Sequence, residues 1–351
     1  MSLVERLIMA KGKGKPQTQD IGLPLFDGLN DSALYSDSLE KSLDQLPPTL
    51  RRVENAATEI TMEPYTDRID FLHAVLCQVG MPRKSVEGRV FERNSGAVGM
   101  MLEAGRLYRR GNWVDMPLPY GTRPRLVMVY ISGEAVRTKS RTIEIGESVY
   151  EFLKRLGIDP TGGPRGGYTM FKKQMEALAA CRMTLGLSLP DRDVTINTQP
   201  ISRFEAWLVN HGPERPFWPG VLDLSQEFFD TLLDHAVPLD HRALAALKHS
   251  ALALDIYTWL AHRLCRIKKD SGVMLSWGNL KEQFGQEYKD TRNFKKEFRE
   301  ILRQVYAVYP AAKIEQMPCG FILKPSPPPV RKIQIIMPPK KEEALVDKSN
   351  K

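Results

Sequence analysis

Cysteine is scarce in this 351-residue chain and never paired. Cys77, Cys181, Cys265 and Cys319 are too far apart to form a Cys-x-x-Cys site, which argues against a zinc framework or a disulfide scaffold and leaves reduced core thiols as the expectation. The six histidines, at positions 73, 211, 235, 241, 249 and 262, include neither His-Glu-x-x-His nor His-x-His. Metalloprotease and rolling-circle nickase chemistry are therefore unsupported. No Gly-x-Ser-x-Gly elbow occurs. The glycine-rich stretch Gly162–Gly167 is not followed by the Lys-Ser/Thr pair that a phosphate-binding loop needs. No cofactor, metal or enzymatic activity is expected. Long apolar runs are missing too: Glu5 and Arg6 interrupt the apolar N-terminal stretch, and nothing approaches the roughly 20 residues that span a bilayer. A cytoplasmic location without membrane contact is the expectation.

What is present is an ordinary globular composition with a basic tilt. Apolar residues make up 42% and charged residues 26%, while Lys and Arg exceed Asp and Glu by 50 to 42, for a net charge of +8 and a pI near 9.2. Such a balance favours polyanionic partners, provided that the charges cluster.

Both ends look unlike the middle. Residues 1–65, with Lys11-Gly-Lys-Gly-Lys15 and Pro47-Pro48, read as a flexible arm, and residues 325–351, opening on Pro325-Ser-Pro-Pro-Pro329, read as a proline-rich, charged tail. The polar break His211-Gly-Pro-Glu-Arg-Pro216 divides the remainder into blocks at 66–212 and 217–324. In the first, a helix over Arg123–Thr138 precedes the strand Thr142–Ile145, helices over Glu147–Leu156 and Tyr168–Arg182, and a hairpin of Met183–Leu189 with Val194–Thr198. In the second, a long helix over Leu239–Arg266 precedes the strand Val273–Leu275, helices Asn279–Phe284 and Lys289–Tyr306, and a hairpin of Ala311–Gln316 with Phe321–Lys324. Helix, strand, helix, helix, hairpin is the order of a winged helix. The expected fold class is α+β, two tandem winged-helix domains between a flexible arm and tail.

Charge clusters on one predicted helix. Along Lys289–Tyr306, Phe294, Phe298, Ile301, Leu302 and Val305 share a face, while Arg292, Lys295, Lys296, Arg299 and Arg303 centre on another about 130° away at the helical turn angle. A solvated face is the bland reading. Its place in the element order is that of a helix inserted in the major groove, so Lys289, Arg292, Lys295, Lys296, Arg299 and Arg303 are the candidate DNA-binding set. The corresponding helix of the first block offers Thr169, Lys172 and Lys173, interrupted by Glu176. Arg165 and Tyr168 beside the glycines are candidates for backbone phosphates, and the glycines serve equally to permit the bend. The first block is expected to add a second DNA grip or a self-association surface.

A family pattern overlies these elements. Pro117-Leu-Pro-Tyr-Gly-Thr-Arg-Pro-Arg-Leu126, Glu134-Ala-Val-Arg-Thr-Lys-Ser-Arg141, Gly146, Phe152-Leu153, Gly162-Gly163 and Gly166-Gly167 resemble the core of RepA-type plasmid replication initiators. The resemblance runs on through Phe228-Phe229, Pro238-Leu-Asp240, Leu254-Asp-Ile-Tyr-Thr-Trp-Leu260, Phe294, Tyr309-Pro310 and Pro325-Ser-Pro-Pro328, about Phe71 to Val330 in all. It implies a protein that binds repeated duplex DNA at a plasmid origin, helps melt it, recruits host replication proteins and represses its own gene as part of copy control. A winged-helix repressor without initiator activity is the alternative. Tyr257 and Trp259 are expected to pack the core. Arg137, Lys139 and Arg141 suit phosphate contact, and equally suit a helix C-terminus, where cations are favoured. In the arm, Asp20-Ile-Gly-Leu-Pro-Leu-Phe26 is similar to the short motif by which bacterial proteins dock on the replicative sliding clamp, with Asp20 in place of the usual Gln. Leu23, Leu25 and Phe26 are its anchors; pinning the arm to the first block is the plainer use for them.

Overall fold

The computed structural model describes residues 47–64, 66, 68–145, 149–163, 166–188, 190–203 and 221–330. In chain order the first part comprises α1 (Pro48–Met62), β1 (Ile69–His73), α2 (Ala74–Gln78), β2 (Val90–Ser95), β3 (Val98–Glu103), β4 (Arg106–Arg109) and β5 (Asn112–Asp115). Then come α3 (Thr122–Thr138), β6 (Thr142–Glu144), α4 (Val149–Arg155), α5 (Gly167–Ala180), β7 (Arg182–Ser188), β8 (Asp193–Thr198) and β9 (Ile201–Arg203). The second part holds β10 (Val221–Leu224), α6 (Gln226–His235), β11 (Ala236–Asp240), α7 (His241–Leu247), α8 (Ala251–Arg263), β12 (Val273–Ser276), α9 (Trp277–Phe284), α10 (Thr291–Val308), β13 (Ile314–Met317) and β14 (Gly320–Leu323). The class is mixed α+β, and both expected hairpins form, β7 against β8 and β13 against β14.

Three local readings are corrected. The arm read over 1–65 includes α1, whose Val53, Ala56 and Ile60 at helical spacing are buried. The expected single helix Leu239–Arg266 is instead the end of β11, then α7 and α8, because Asp240 and Ser250 each cap a new helix by accepting N–H bonds from Arg242 and Ala253. The tail begins packed: the Tyr309 hydroxyl donates to the Pro327 carbonyl at 2.7 Å, the Lys313 N–H donates to Ser326 Oγ at 2.9 Å, and Val330 is buried. Among the thiols, Cys77 and Cys181 are core residues whose pKa burial raises, that of Cys181 to about 12, but Cys265 and Cys319 are exposed.

The halves are interleaved. The break at 213–216 lies outside the described residues, yet the chain on its far side builds into the first half: β10 pairs with β6 and β9, and β11 pairs antiparallel with β1. In return α1 packs on α7 and α10. Strand pairing also separates the two blocks. β12, β14 and β13 form one three-stranded sheet, whereas β7 and β8 extend β2 and β3 and leave β6 to β10. A single apolar cluster runs through both halves, with Tyr257 and Trp259 of α8 buried in it as expected.

Ion pairs are buried where the halves meet. Arg125 of α3 grips Asp255 of α8 through Nε–Oδ1 at 2.7 Å and Nη2–Oδ2 at 2.9 Å, and donates through Nη1 to the Gly121 and Pro82 carbonyls. Arg83 and Arg93 reach Glu287, in the turn between α9 and α10, at 3.2 and 3.3 Å. Burial raises the Glu287 carboxyl pKa, but Arg83 and Arg93 outweigh it and hold the group below its ordinary value.

His73 is wholly buried, and its Nδ1 accepts the Val75 N–H at 3.1 Å to start α2. That bond requires a free lone pair, hence a neutral ring. Burial and then the charge of His235 lower its pKa from 6.5 to about 4. The unfolded chain therefore binds the proton first, so the stabilisation is complete above 6.5 and is lost as pH falls from there through 4. By linkage this is on the order of 3 kcal/mol. The melting temperature should decline across that window, and His73→Asn, which can still cap, should flatten the decline. Equal pH profiles for wild type and variant would refute the assignment.

Candidate nucleic-acid interface

The site is assembled by capping and packing around α9, the 285–290 turn and α10. Ser276 and Asn279 form a capping box at the start of α9, and Asp290 Oδ1 accepts the Arg292 N–H at 2.8 Å to start α10. Phe294, Phe298, Ile301 and Val305 are buried and Leu302 is half-buried, as the spacing predicts. Trp277, which sequence reasoning passed over, is the hub beneath them, edge-on to Phe294, Phe298 and Phe321 at 6.4, 6.0 and 5.2 Å.

The expected basic face divides along the helix. Lys289, Arg292, Lys296 and Arg303 are exposed. Lys295 and Arg299, one helical turn apart, instead bend over the Trp277 ring, 5.4 and 4.7 Å from its centroid, and Arg299 Nε is buried without a hydrogen-bond partner. Arg303 lines an apolar groove of about 310 Å³ that α1 makes with α10 and the β13–β14 hairpin, beside Leu50, Val53, Glu54, Leu302 and Phe321. The cations left free of packing and caps therefore sit at the N-terminal end of α10. Glu297 is hydrogen-bonded to Tyr288, and burial together with that bond raises the tyrosine's pKa.

The first-half candidates are scattered. Arg165 lies outside the described residues, as do Leu23, Leu25 and Phe26. Lys173 is exposed and Lys172 partly so, but Tyr168 packs against the core and Thr169 donates to the Gly163 carbonyl at 2.8 Å. A Cβ at Gly167 would stand 2.0 Å from the Asp159 carbonyl oxygen, so this glycine is needed for close chain approach. Glu176 leaves no acid on the outer face, since it is buried and paired with Arg109. Arg137 pairs with Glu134 and Arg141 donates to the Leu224 carbonyl at 3.3 Å, so both already have partners within the fold.

Comparison with known proteins bears on this assembly. Residues 118–279 match the family model described as plasmid encoded RepA protein. The expected resemblance, read over Phe71 to Val330, is thus found over less than half the chain. The RepA match runs from the loop before α3 into the start of α9 and stops short of α10. No curated protein matches the chain. Two crystal structures of domains 2 and 3 of RctB overlap 72% of it and 99% and 96% of their own chains, at 11% and 12% identity and TM-scores of 0.43 and 0.41. Among the described residues no helix is long and apolar enough to cross a membrane, and no group of three or more His, Cys, Asp or Glu side chains is placed to hold a metal.

Proposed function

We propose that the chain is a non-enzymatic plasmid replication initiator that binds repeated duplex sequences at its origin through a winged helix made of α8, β12, α9, α10 and the β13–β14 hairpin. The observation that carries this is the placement of exposed Lys289, Arg292 and Lys296 at the N-terminal end of α10, on a helix whose other face is locked into the core. N-terminal residues of such a helix are the ones that meet base edges, and its dipole favours phosphate there. The RepA match supports the replication role. In residues 66–212, where β6 pairs with β10 and the β7–β8 hairpin joins another sheet, Lys172 and Lys173 of α5 serve in this reading as an added grip or as a self-association surface.

Recruitment of host replication proteins belongs to the same proposal, with Leu23, Leu25 and Phe26 docking on the sliding clamp in the cytoplasm. Anisotropy with labelled origin duplex tests both parts. Specific binding tighter than to scrambled duplex by about 10³-fold or more, and weakening with salt, is expected. Added clamp should raise the signal further, and Leu25→Ala with Phe26→Ala should abolish that rise. Equal affinity for origin and scrambled duplex would overturn the DNA reading. No response to clamp would remove the clamp reading alone.

A further inference from the structure

β4 and β5 pair only with each other, apart from every larger sheet. Alternation gives this hairpin two faces. Arg109 lies on one with Leu107, Asn112 and Val114, and pairs with the buried Glu176 of α5, which turns that face toward the body of the protein. On the other face Tyr108 stands opposite Trp113, ring centroids 5.3 Å apart, beside Arg106 and Asp115. In a fold that buries Trp259 and Trp277 to 3% and 5%, these two rings are 60% and 67% exposed. Their mutual contact holds the strands together yet leaves most of each ring in water.

The tip adds a second feature. Arg110 and Gly111 take φ of 46° and 82°. Two successive left-handed residues make the tight hairpin turn that Asn-Gly forms with least strain. Arginine in the first place sets an exposed guanidinium at the apex, and Arg110 has no ion-pair partner among the described residues. Arg89 and Arg106 share one acid, Asp115, at 3.0 and 2.8 Å. Four arginines against Asp115 and Glu176 leave the hairpin cationic.

Open aromatic faces flanked by guanidinium groups are what unpaired bases require, because stacking needs a free base face that a closed duplex does not present. We infer that the β4–β5 hairpin binds single-stranded DNA, with Tyr108 and Trp113 stacking on bases and Arg106 and Arg110 meeting phosphates. The inference goes beyond duplex binding by α10 and stands independently of it.

The test is titration of the full chain against a labelled oligothymidylate of about twelve nucleotides, within the span that such platforms cover. Tyr108→Ala with Trp113→Ala should weaken binding by about tenfold or more, given the usual contribution of a stacked base. Trp113→Phe should retain most of the affinity. Arg110→Gly, which relaxes the turn and so keeps the hairpin, should still weaken binding severalfold and reduce its salt dependence. Origin-duplex affinity should stay at the wild-type value in all three, and the melting temperature should do so for Trp113→Phe and Arg110→Gly. Absence of oligonucleotide binding by the wild type, or unchanged affinity in the double variant, overturns the inference. Loss of plasmid replication with unchanged oligonucleotide affinity does so as well, and assigns the hairpin to a protein partner. Retained oligonucleotide binding in a chain that ignores origin duplex would defeat the α10 reading and leave this one intact.

Discussion

Replacing Arg292 and Lys296 together by alanine should reduce affinity for origin duplex by about 1–3 kcal/mol for each side chain that makes a bidentate base contact. Both are exposed at the end of α10 nearest the turn, and neither props up the core. The pair Lys295 and Arg299, which looks equivalent on the helical projection, should behave differently. Their charged groups lie over Trp277, so alanine there removes packing as well as charge and should lower the melting temperature. Phosphate contacts would leave a different trace: the slope of log affinity against log salt would shallow by about 0.9 per contact, with discrimination between sequences unchanged. Wild-type affinity for the Arg292/Lys296 variant at physiological salt would remove α10 from the interface.

The largest stability effect should come from Asp255→Ala. Removing one member of a buried, bidentate ion pair leaves the other charge desolvated and unmatched, typically a loss of 3–5 kcal/mol, on the order of half the stability of an ordinary domain. Here the loss would be compounded: Arg83, which approaches Asp255 Oδ2 at 4.0 Å, would lose that acid as well and keep only Glu287, which it shares with Arg93. Urea denaturation should show the drop as a lower midpoint. A midpoint shift equivalent to less than about 1 kcal/mol would mean that the pair contributes little beyond its own desolvation. Exchanging the pair for apolar residues of similar volume should recover much of the loss, since the cost arises from the unmatched charge.

Local regularities were open to sequence reasoning. The apolar stripe of α10, the β7–β8 and β13–β14 hairpins and the strand–helix alternation of the second half all follow from periodicity and turn chemistry acting within about twenty residues. α1 was legible too, in Val53, Ala56 and Ile60, but the prolines before it drew attention instead. Ser250 carried the signal that splits the long helix, a capping side chain inside an otherwise continuous apolar stripe.

Composition, charge clustering and local periodicity by themselves determined that this chain folds as α+β, carries no recognisable catalytic or metal motif and presents a basic amphipathic helix. Only the tertiary structure decided which of that helix's cations are free. Lys295 and Arg299 differ from Arg292 and Lys296 because a tryptophan from the preceding helix happens to lie under them, and a helical projection holds no information about neighbours. The pairing of β1 with β11 and the union of Arg125 with Asp255 join residues more than 120 positions apart. Strand partners and ion-pair partners at such distances are selected by the three-dimensional fit of the whole core, which no local window of sequence contains.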